Sequence, residues 1–420
     1  MFSLYFHIPF CTHRCAYCDF NTYAGQEEMI PAYVDALIRE IEFVGHKTTQ
    51  LPDYPTNAHT IFFGGGTPSL LSPKQFEAIL RSIRENFTLN DDAEITIEAN
   101  PGTCSFAQLL DLHSLGINRI SYGVQSANTE ELRMLERAHN FFEVIEAVSS
   151  ARRAGFDNLN LDLIYGLPEQ TLRTWQTTLK RILDLHPEHI SAYALTLEHG
   201  TPFGRWSSKG LLPLPDPDLA AEMYEYAGET LEANGYVQYE ISNWAKEKRD
   251  EGGKMKDETI LAKSSSFILD NSSFACNHNL QYWRGLPYLA FGAGAHGYAN
   301  GYRYSNVLRI KTYIDRLTSY SITNYEFPLT PATVNYHKQT LQDNMSEFMM
   351  TGLRLTQEGV RDERFQARFG RSLREVYGKE IDELLKLGLI EDCVEKGNCL
   401  SIRITKRGRL LGNQIFMRFV

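Results

Sequence analysis

Through the first half of the chain, short apolar runs alternate with longer stretches in which apolar residues recur at helical spacing. Ser3–Ile8 reads as a strand. Ile30, Tyr33, Val34, Leu37, Ile38 and Ile41 then share one helical face, which predicts an amphipathic helix over about Glu28–Val44. His59–Phe63 is a second strand, closed by Gly64-Gly65-Gly66-Thr67-Pro68. Ser72-Pro73 opens the next helix, which runs to about Phe87. Strands three to six are Glu94–Glu98, Ile117–Val124, Asn158–Ile164 and His189–Leu195. Helical patterns separate them near Ser105–Leu115, Thr129–Arg137, Phe141–Ala154 and Leu172–Leu185. Six strand–helix units in a row predict a parallel sheet. Eight would close a barrel of roughly 250 residues. Six predict an α/β fold built as an open, partial (β/α)6 barrel over 1–212, with a doubly wound open sheet as the alternative. Either architecture puts functional groups at the carboxyl ends of the strands.

The pattern changes after Pro213-Leu214-Pro215-Asp216-Pro217, a linker. A helix near Asp218–Ala233 and a strand over Gly235–Ile241 lead into 246–273, rich in Lys, Glu, Ser and Gly, which reads as a mobile insertion. We therefore expect a middle region, 213–330, that extends the barrel. From 331 to 420 helical patterns at Met345–Leu353, Glu363–Phe369 and Leu373–Leu387 precede short strands at Leu389-Ile390 and Leu400–Ile404 and a last helix over Thr405–Phe416. That order predicts a mostly helical, winged-helix-like C-terminal domain. Lys406, Arg407 and Arg409 are its only basic cluster. With a formal net charge of -10 on the whole chain, packing is favoured over nucleic-acid binding.

Composition fits a globular protein, with 43% hydrophobic and 22% charged residues in 420. No basic, apolar leader opens the sequence and no run approaches 18 uninterrupted apolar residues, so a cytoplasmic protein is expected. Seven cysteines, an odd number, fit metal ligation in a reducing compartment better than a disulfide framework.

Three of those cysteines crowd the loop after the first strand, Cys11-Thr12-His13-Arg14-Cys15-Ala16-Tyr17-Cys18, and Asp19-Phe20 follows without a fourth thiol. Three thiolates at C-x3-C-x2-C spacing can hold three irons of a cubane 4Fe-4S cluster, leaving the fourth iron open to a small amine–carboxylate chelator. Zinc is the rival, with His7 and His13 nearby as further ligands. Other strand ends carry Gly64-Gly65-Gly66, Glu98, Gln125 and Asp162, and Arg137 lies beyond the fourth. The glycines let backbone approach a ligand and can offer it N–H groups. Further on, His278 stands in Cys276-Asn277-His278-Asn279-Leu280-Gln281-Tyr282-Trp283 and His296 between Gly294-Ala295 and Gly297. A neutral imidazole can ligate haem iron, although a hydrogen-bonded turn histidine is the simpler reading of either.

With these residues in view, the chain resembles the radical S-adenosylmethionine superfamily. Within it, the chain resembles the oxygen-independent coproporphyrinogen III oxidase family, whose members include haem chaperones. The matching pieces are Tyr5-Phe6-His7-Ile8-Pro9-Phe10-Cys11, Gly64-Gly65-Gly66-Thr67-Pro68-Ser69, Glu98-Ala99-Asn100-Pro101-Gly102, Gly123-Val124-Gln125-Ser126, Arg137 with His139, and Asn160-Leu161-Asp162-Leu163-Ile164-Tyr165-Gly166-Leu167-Pro168. The resemblance implies a radical-SAM partial barrel in which Cys11, Cys15 and Cys18 hold the cluster. It implies that Tyr5, Gly65 and Glu98 contact S-adenosylmethionine. Tyr17, Gly66, Thr67, Gln125, Arg137 and Asp162 would contact that cofactor or a second copy of it. Phe20 stands where the oxidases have a further cysteine, and only four residues precede Tyr5 where they carry an extension. His278-Asn279-x-x-Tyr282-Trp283 resembles the haem-associated motif of the chaperones. The implied partners are haem, a haem-accepting apo-protein such as a membrane-bound respiratory enzyme, and an electron donor for the cluster. No nucleic acid is expected. The other function the resemblance allows is a radical enzyme acting on a porphyrinogen.

Overall fold

A computed structural model of the protein describes residues 1–48, 51, 57–248, 273–319, 325–395 and 399–420. The expected insertion, apart from its ends, lies outside the described residues. The chain packs as two compact units, Met1–Ala227 with Pro287–Lys338, and Gly228–Leu286 with Gln339–Val420. The stretch expected to form a middle region is thus divided. Residues 228–286 join the C-terminal part, and 213–227 and 287–330 belong with the barrel.

The first unit is built on strands β1 (Phe2–Ile8), β2 (Asn57–Gly65), β3 (Thr88–Ala99), β4 (Arg119–Gln125), β5 (Leu159–Tyr165) and β6 (His189–Ala194). They lie side by side in chain order and all neighbours are parallel. Right-handed crossovers between sequential parallel strands leave every helix on one face of the sheet. Accordingly α1 (Ile30–Thr48) packs on α2 (Pro73–Asn86), α2 on α3 (Phe106–Ser114), and α3 on α4 (Phe141–Arg153). A doubly wound sheet reverses its strand order at a switch point. None occurs along these six strands, so the partial (β/α)6 barrel is the architecture.

Four strands that the periodicity did not reveal extend the sheet beyond β1: β7 (Tyr288–Phe291), β8 (His296–Ala299), β9 (Tyr302–Asn306) and β10 (Thr333–Lys338). β7 is parallel to β1, pairing Tyr5 with Ala290, and the other three continue antiparallel.

Side chains on the strands divide by period two. Leu4, Phe6, Ile61, Phe63, Ile95, Ile97, Ile120, Leu159, Leu161 and Ile190 are buried on the helix side. There Phe6 stacks between Phe63 and Phe291 at 5.1 and 4.9 Å, and Phe63 meets Phe76 of α2 edge-on at 5.2 Å. The opposite face is polar: Ser3, Tyr5 and His7; Thr60; Glu98; Arg119 and Ser121; Asn160 and Asp162; His189 and Ser191. Parallel sheets usually bury apolar residues on both faces. This one keeps a polar inner face, where ligand chemistry belongs.

Glu40 ties the two halves of this unit together. It sits fully buried in α1 and accepts hydrogen bonds from Gly292 N (2.8 Å), Asn306 Nδ2 (2.8 Å), Tyr313 Oη (2.6 Å) and Thr330 Oγ1 (3.0 Å). Burial raises its pKa, and the four donors oppose that rise.

In the second unit, helices Leu341–Gly352, Asp362–Phe369 and Leu373–Lys386 enclose a core of Met349, Phe365, Tyr377 and Ile381. Ile390–Glu395 and Cys399–Ile404, where two short strands were expected, pair antiparallel, and a short strand, Val360–Arg361, joins them. The basic cluster is tied into its own unit. Lys406 lies 3.6 Å from Glu232, and Arg409 donates to Gln238 Oε1 at 2.6 Å. Among the described residues no helix is long and apolar enough to cross a membrane.

Glu40→Leu leaves Gly292 N, Tyr313 Oη and Thr330 Oγ1 buried without that acceptor, each costing about 1–3 kcal/mol, while Asn306 Nδ2 keeps the Gly292 carbonyl at 3.1 Å. We expect a loss of several kcal/mol, read as a lower midpoint of the first transition in thermal or urea unfolding.

Candidate functional site: a cysteine loop at the strand ends

The carboxyl end of β1 delivers the chain directly into the cysteine loop. Tyr5 and His7 point to the polar face just before it. His7 is buried, and burial lowers its pKa, so the ring is neutral. Its Nε2 lies 2.9 Å from the Asn21 carbonyl and must carry the proton. Nδ1, at 3.0 Å from Tyr5 Oη, therefore accepts from the phenol. Asn21, where the loop returns, donates from Nδ2 to Ala293 O and Leu308 O, both at 3.0 Å. The loop is held on its other side by Phe203 N, which donates to Ala16 O at 3.0 Å.

Cys11, Cys15 and Cys18 are free thiols, each half-buried. Burial raises the Cys11 and Cys18 pKa values. Thr67 Oγ1 approaches Cys11 Sγ at 3.6 Å and Arg137 Nη1 approaches Cys15 Sγ at 3.3 Å. Donors aimed at sulfur stabilise thiolates and cluster charge, so this set suits an iron–sulfur cluster. The histidines that would complete a zinc site are engaged elsewhere. His7 uses both nitrogens, and His13 Nε2 lies 3.5 Å from Glu136. Phe20, at the fourth position, is 64% exposed.

The glycine run closes against the loop more tightly than the sequence implied. Gly65 has φ +109°, and a Cβ there would meet the His7 ring at 2.5 Å. At Gly66 a Cβ would meet Phe10 O, also at 2.5 Å. The N–H groups expected to face a ligand are used internally. Gly65 N donates to Glu98 Oε2 (2.9 Å), Gly66 N to Ile8 O (2.9 Å) and Thr67 N to Phe10 O (2.7 Å).

Glu98 ends β3 on the polar face. Burial, and then the charge of Asp162, push its pKa up to about 7. Asp162 accepts from Ser121 Oγ at 2.9 Å and Asn160 Nδ2 at 2.8 Å, and Asn160 Oδ1 lies 2.6 Å from His189 Nδ1. Gln125 follows β4 in the left-handed region at φ 69°, where the pairing with β5 slips by a residue. Tyr17 is half-buried against the loop, and burial raises its phenol pKa. Arg137 is the link between these parts. Its Nη2 donates to Gly123 O at 2.6 Å and to Asn100 Oδ1, while Asn100 Nδ2 donates to Thr67 Oγ1 at 2.9 Å. Arg137 Nε is buried with no hydrogen-bond partner among the described residues, an orphaned donor suited to an anionic ligand group.

The fold thus gathers Tyr5, Cys11, Cys15, Tyr17, Gly65, Gly66, Thr67, Glu98, Arg137 and Asp162 through direct contacts or shared partners. Asn100, Ser121 and Asn160 also belong here, and their period-two spacing with Glu98, Gly123 and Asp162 was the available signal. His278 is elsewhere, in the second unit. It is 1% exposed on helix Asn277–Trp283, and its Nε2 is 2.8 Å from Tyr282 Oη one turn on. In this arrangement that nitrogen is occupied. Trp283 lies under the Arg354 guanidinium at 4.3 Å.

A sequence model of the radical SAM superfamily matches residues 5–182, and one of the HemN C-terminal domain matches 339–411. Proteins named Heme chaperone HemW match along their length. That of Bacillus subtilis is 37% identical, covering 100% of this chain and 99% of its own. The Lactococcus lactis protein is 34% identical, with 100% and 97% covered. The chain belongs to the HemW family of the radical SAM superfamily. The Escherichia coli HemW is 33% identical, with 100% of this chain and 98% of that one covered. Among solved structures, coproporphyrinogen III oxidase (HemN) from Escherichia coli superposes with a TM-score of 0.77 at 25% identity, covering 100% of this chain and 89% of that one. The HemW family likeness thus spans both units, and the superfamily match spans the strands that carry the site.

His139 supplies a pH signature. Burial and then the Arg137 charge lower its pKa to about 4, and its Nε2 lies 3.1 Å from Val124 O. The unfolded chain takes up this proton near pH 6.5, whereas the folded one resists it to about 4. The unfolded state therefore binds more protons between those values, and stability falls as pH drops through that window. Between pH 7.5 and 5 we expect about 2 kcal/mol of acid sensitivity, absent in His139→Gln. It would be read as the difference between the two proteins' urea midpoints at pH 7.5 and 5.

Proposed function

We propose that the protein is a haem chaperone. It would carry a 4Fe-4S cluster on Cys11, Cys15 and Cys18, bind S-adenosylmethionine at the strand ends, and pass haem to an acceptor apo-protein. The observation that carries this reading is the end-to-end similarity to proteins named as HemW haem chaperones. Phe20 in place of a fourth cysteine and the His278-Asn279-x-x-Tyr282-Trp283 motif support it. A respiratory enzyme at the membrane is the acceptor we favour, with the chaperone cytoplasmic and reaching the membrane only through that partner. An electron donor for the cluster is the remaining partner.

When bound, a cluster of this type supplies an electron to the sulfonium of S-adenosylmethionine. The residues around it would bind and orient that cofactor. Tyr5, Tyr17, Gly65, Gly66 and Thr67 would line the cofactor's approach to the cysteine loop. Arg137 Nε would meet the cofactor carboxylate, while both Nη atoms keep Cys15, Asn100 and Gly123 in place. Glu98 and Asp162 would accept from its ammonium or ribose hydroxyls, and Gln125 would close the same side. Glu98 already accepts from Gly65 N, so an ionised carboxylate there has lone pairs to spare.

With its pKa pushed up to about 7, Glu98 must lose a proton to act as a full acceptor. S-adenosylmethionine affinity of the cluster-loaded protein is therefore expected to rise from pH 6 to 8, with proton release seen calorimetrically in two buffers of different ionisation enthalpy. Glu98→Gln keeps the bond from Gly65 N but removes the charge. It should bind about tenfold more weakly, in line with the 1.5–3 kcal/mol of a charged hydrogen bond, and without that pH dependence.

An activity assay separates the chaperone from the oxidase it resembles in fold. Coproporphyrinogen III with S-adenosylmethionine and a strong reductant should give no protoporphyrinogen IX. Haem added anaerobically should saturate near one per chain. Turnover of coproporphyrinogen would sink the chaperone reading.

A further inference from the structure

The chaperone reading requires an iron ligand, and the two imidazoles available to that role differ sharply. His278 is buried with its Nε2 against Tyr282 Oη at 2.8 Å. His296 is the reverse. Every residue of 289–299 is buried except His296, which is exposed. Its ring makes no hydrogen bond among the described residues.

Its position follows from register. β7 runs parallel to β1, so its end, Phe291, lies level with Phe6, at the end of the sheet that carries the cysteine loop. β8 starts back from that same end with His296. Tyr288 pairs with Ser3 and with Tyr298, which puts Tyr298, and His296 two residues before it, on the polar face shared by Ser3, Tyr5 and His7. Arg303, paired with Tyr298, lies one pleat repeat deeper. Its guanidinium donates to Tyr288 Oη at 2.6 Å and lies 4.5 Å from the centre of the Tyr298 ring. Two exposed apolar side chains stand at the rim, Phe20 at 64% and Leu308 at 55%. Asn21, next to Phe20, is hydrogen-bonded to the Leu308 carbonyl and to that of Ala293, three residues before His296.

An unengaged imidazole, a cation on an aromatic bed and apolar side chains at a rim match the parts of haem: iron, propionate and ring face. Resting on the chaperone reading, we propose that haem binds the first unit at the start of β8, with His296 as iron ligand, Arg303 facing a propionate, and Phe20 and Leu308 against the macrocycle. His278 then serves its own helix, through its hydrogen bond with Tyr282.

The test is an anaerobic titration of ferric haem, followed by absorbance, into the cluster-reconstituted full chain and its variants. His296→Ala is expected to weaken binding at least tenfold and to shift the Soret band. Arg303→Gln should weaken it several-fold with the band unmoved, because the iron ligand is intact. His278→Ala should keep the native Soret position. Metal-free protoporphyrin IX should bind the native chain and His296→Ala alike, since only iron senses the imidazole. The placement is overturned if His296→Ala binds haem with native affinity and spectrum, and loss of both in His278→Ala would move the ligand to the second unit. Absence of saturable haem binding by the native chain would overturn the chaperone reading, and this placement with it.

Discussion

The His7 imidazole is held between Tyr5 Oη, the Asn21 carbonyl and the backbone of Gly65, and the cysteine loop takes its position from that contact. Protonation of the ring would turn Nδ1 from acceptor to donor and set it against the Tyr5 proton. Burial prevents this by disfavouring the charged form. A residue with a side chain at position 65 would occupy the space of the ring. The glycine run is therefore first a packing requirement, and the bare backbone it presents to a ligand is a consequence. The order matters for function, because the same contact fixes Tyr5, the start of the cysteine loop and its return at Asn21.

The helices and the six parallel strands were legible because each is a local pattern. Ser72-Pro73 caps α2 as a proline-led capping box, and the apolar stripe of α1 buries Tyr33, Leu37 and Ile41. The cysteine loop was legible for a similar reason, since three ligands fall within eight positions. What local pattern could not supply is pairing across long separations. Tyr288–Phe291 reads as a short apolar run among glycines, and nothing near it says that it lies beside β1. Glu40, inside a regular helical stripe, gives no sign that its four partners lie 252 to 290 residues away.

Part of the site was visible but read one residue at a time. Glu98, Asp162 and Gln125 were singled out as strand-end polar groups, whereas their significance lies in the alternation behind them. Glu98, Ser121, Asn160 and His189 are register partners across four strands, a row of hydrogen-bonding side chains where a parallel sheet ordinarily carries Val or Ile. Burying such a row is unfavourable unless each group finds a partner. Ser121, Asn160, Asp162 and His189 do so with one another. Arg137 reads differently once placed. Its Nη2 spends both N–H groups on Gly123 O and Asn100 Oδ1 and its Nη1 spends one on Cys15, so it braces the protein, while the buried Nε is left for a ligand.

The two histidine segments show how a motif and a geometry can part company. His278, Tyr282 and Trp283 are recognisable as a spacing, but an i, i+4 pair on one helix face is also what a hydrogen bond between His and Tyr requires. The motif alone cannot separate a ligand from a staple. Transfer adds a physical constraint that binding does not. A chaperone must release haem, and a ligand that has to rebuild a buried hydrogen bond when haem leaves couples release to a local rearrangement. An exposed imidazole that makes no other bond exchanges its iron without disturbing the fold. At the start of β8 the surrounding backbone is already fixed, by Asn306 N to Ala295 O and Gly294 N to Val307 O, both at 2.9 Å. The ring can therefore gain or lose a ligand on a rigid support. That division, a braced backbone carrying one free side chain, is the arrangement a carrier needs and a permanent haem protein does not.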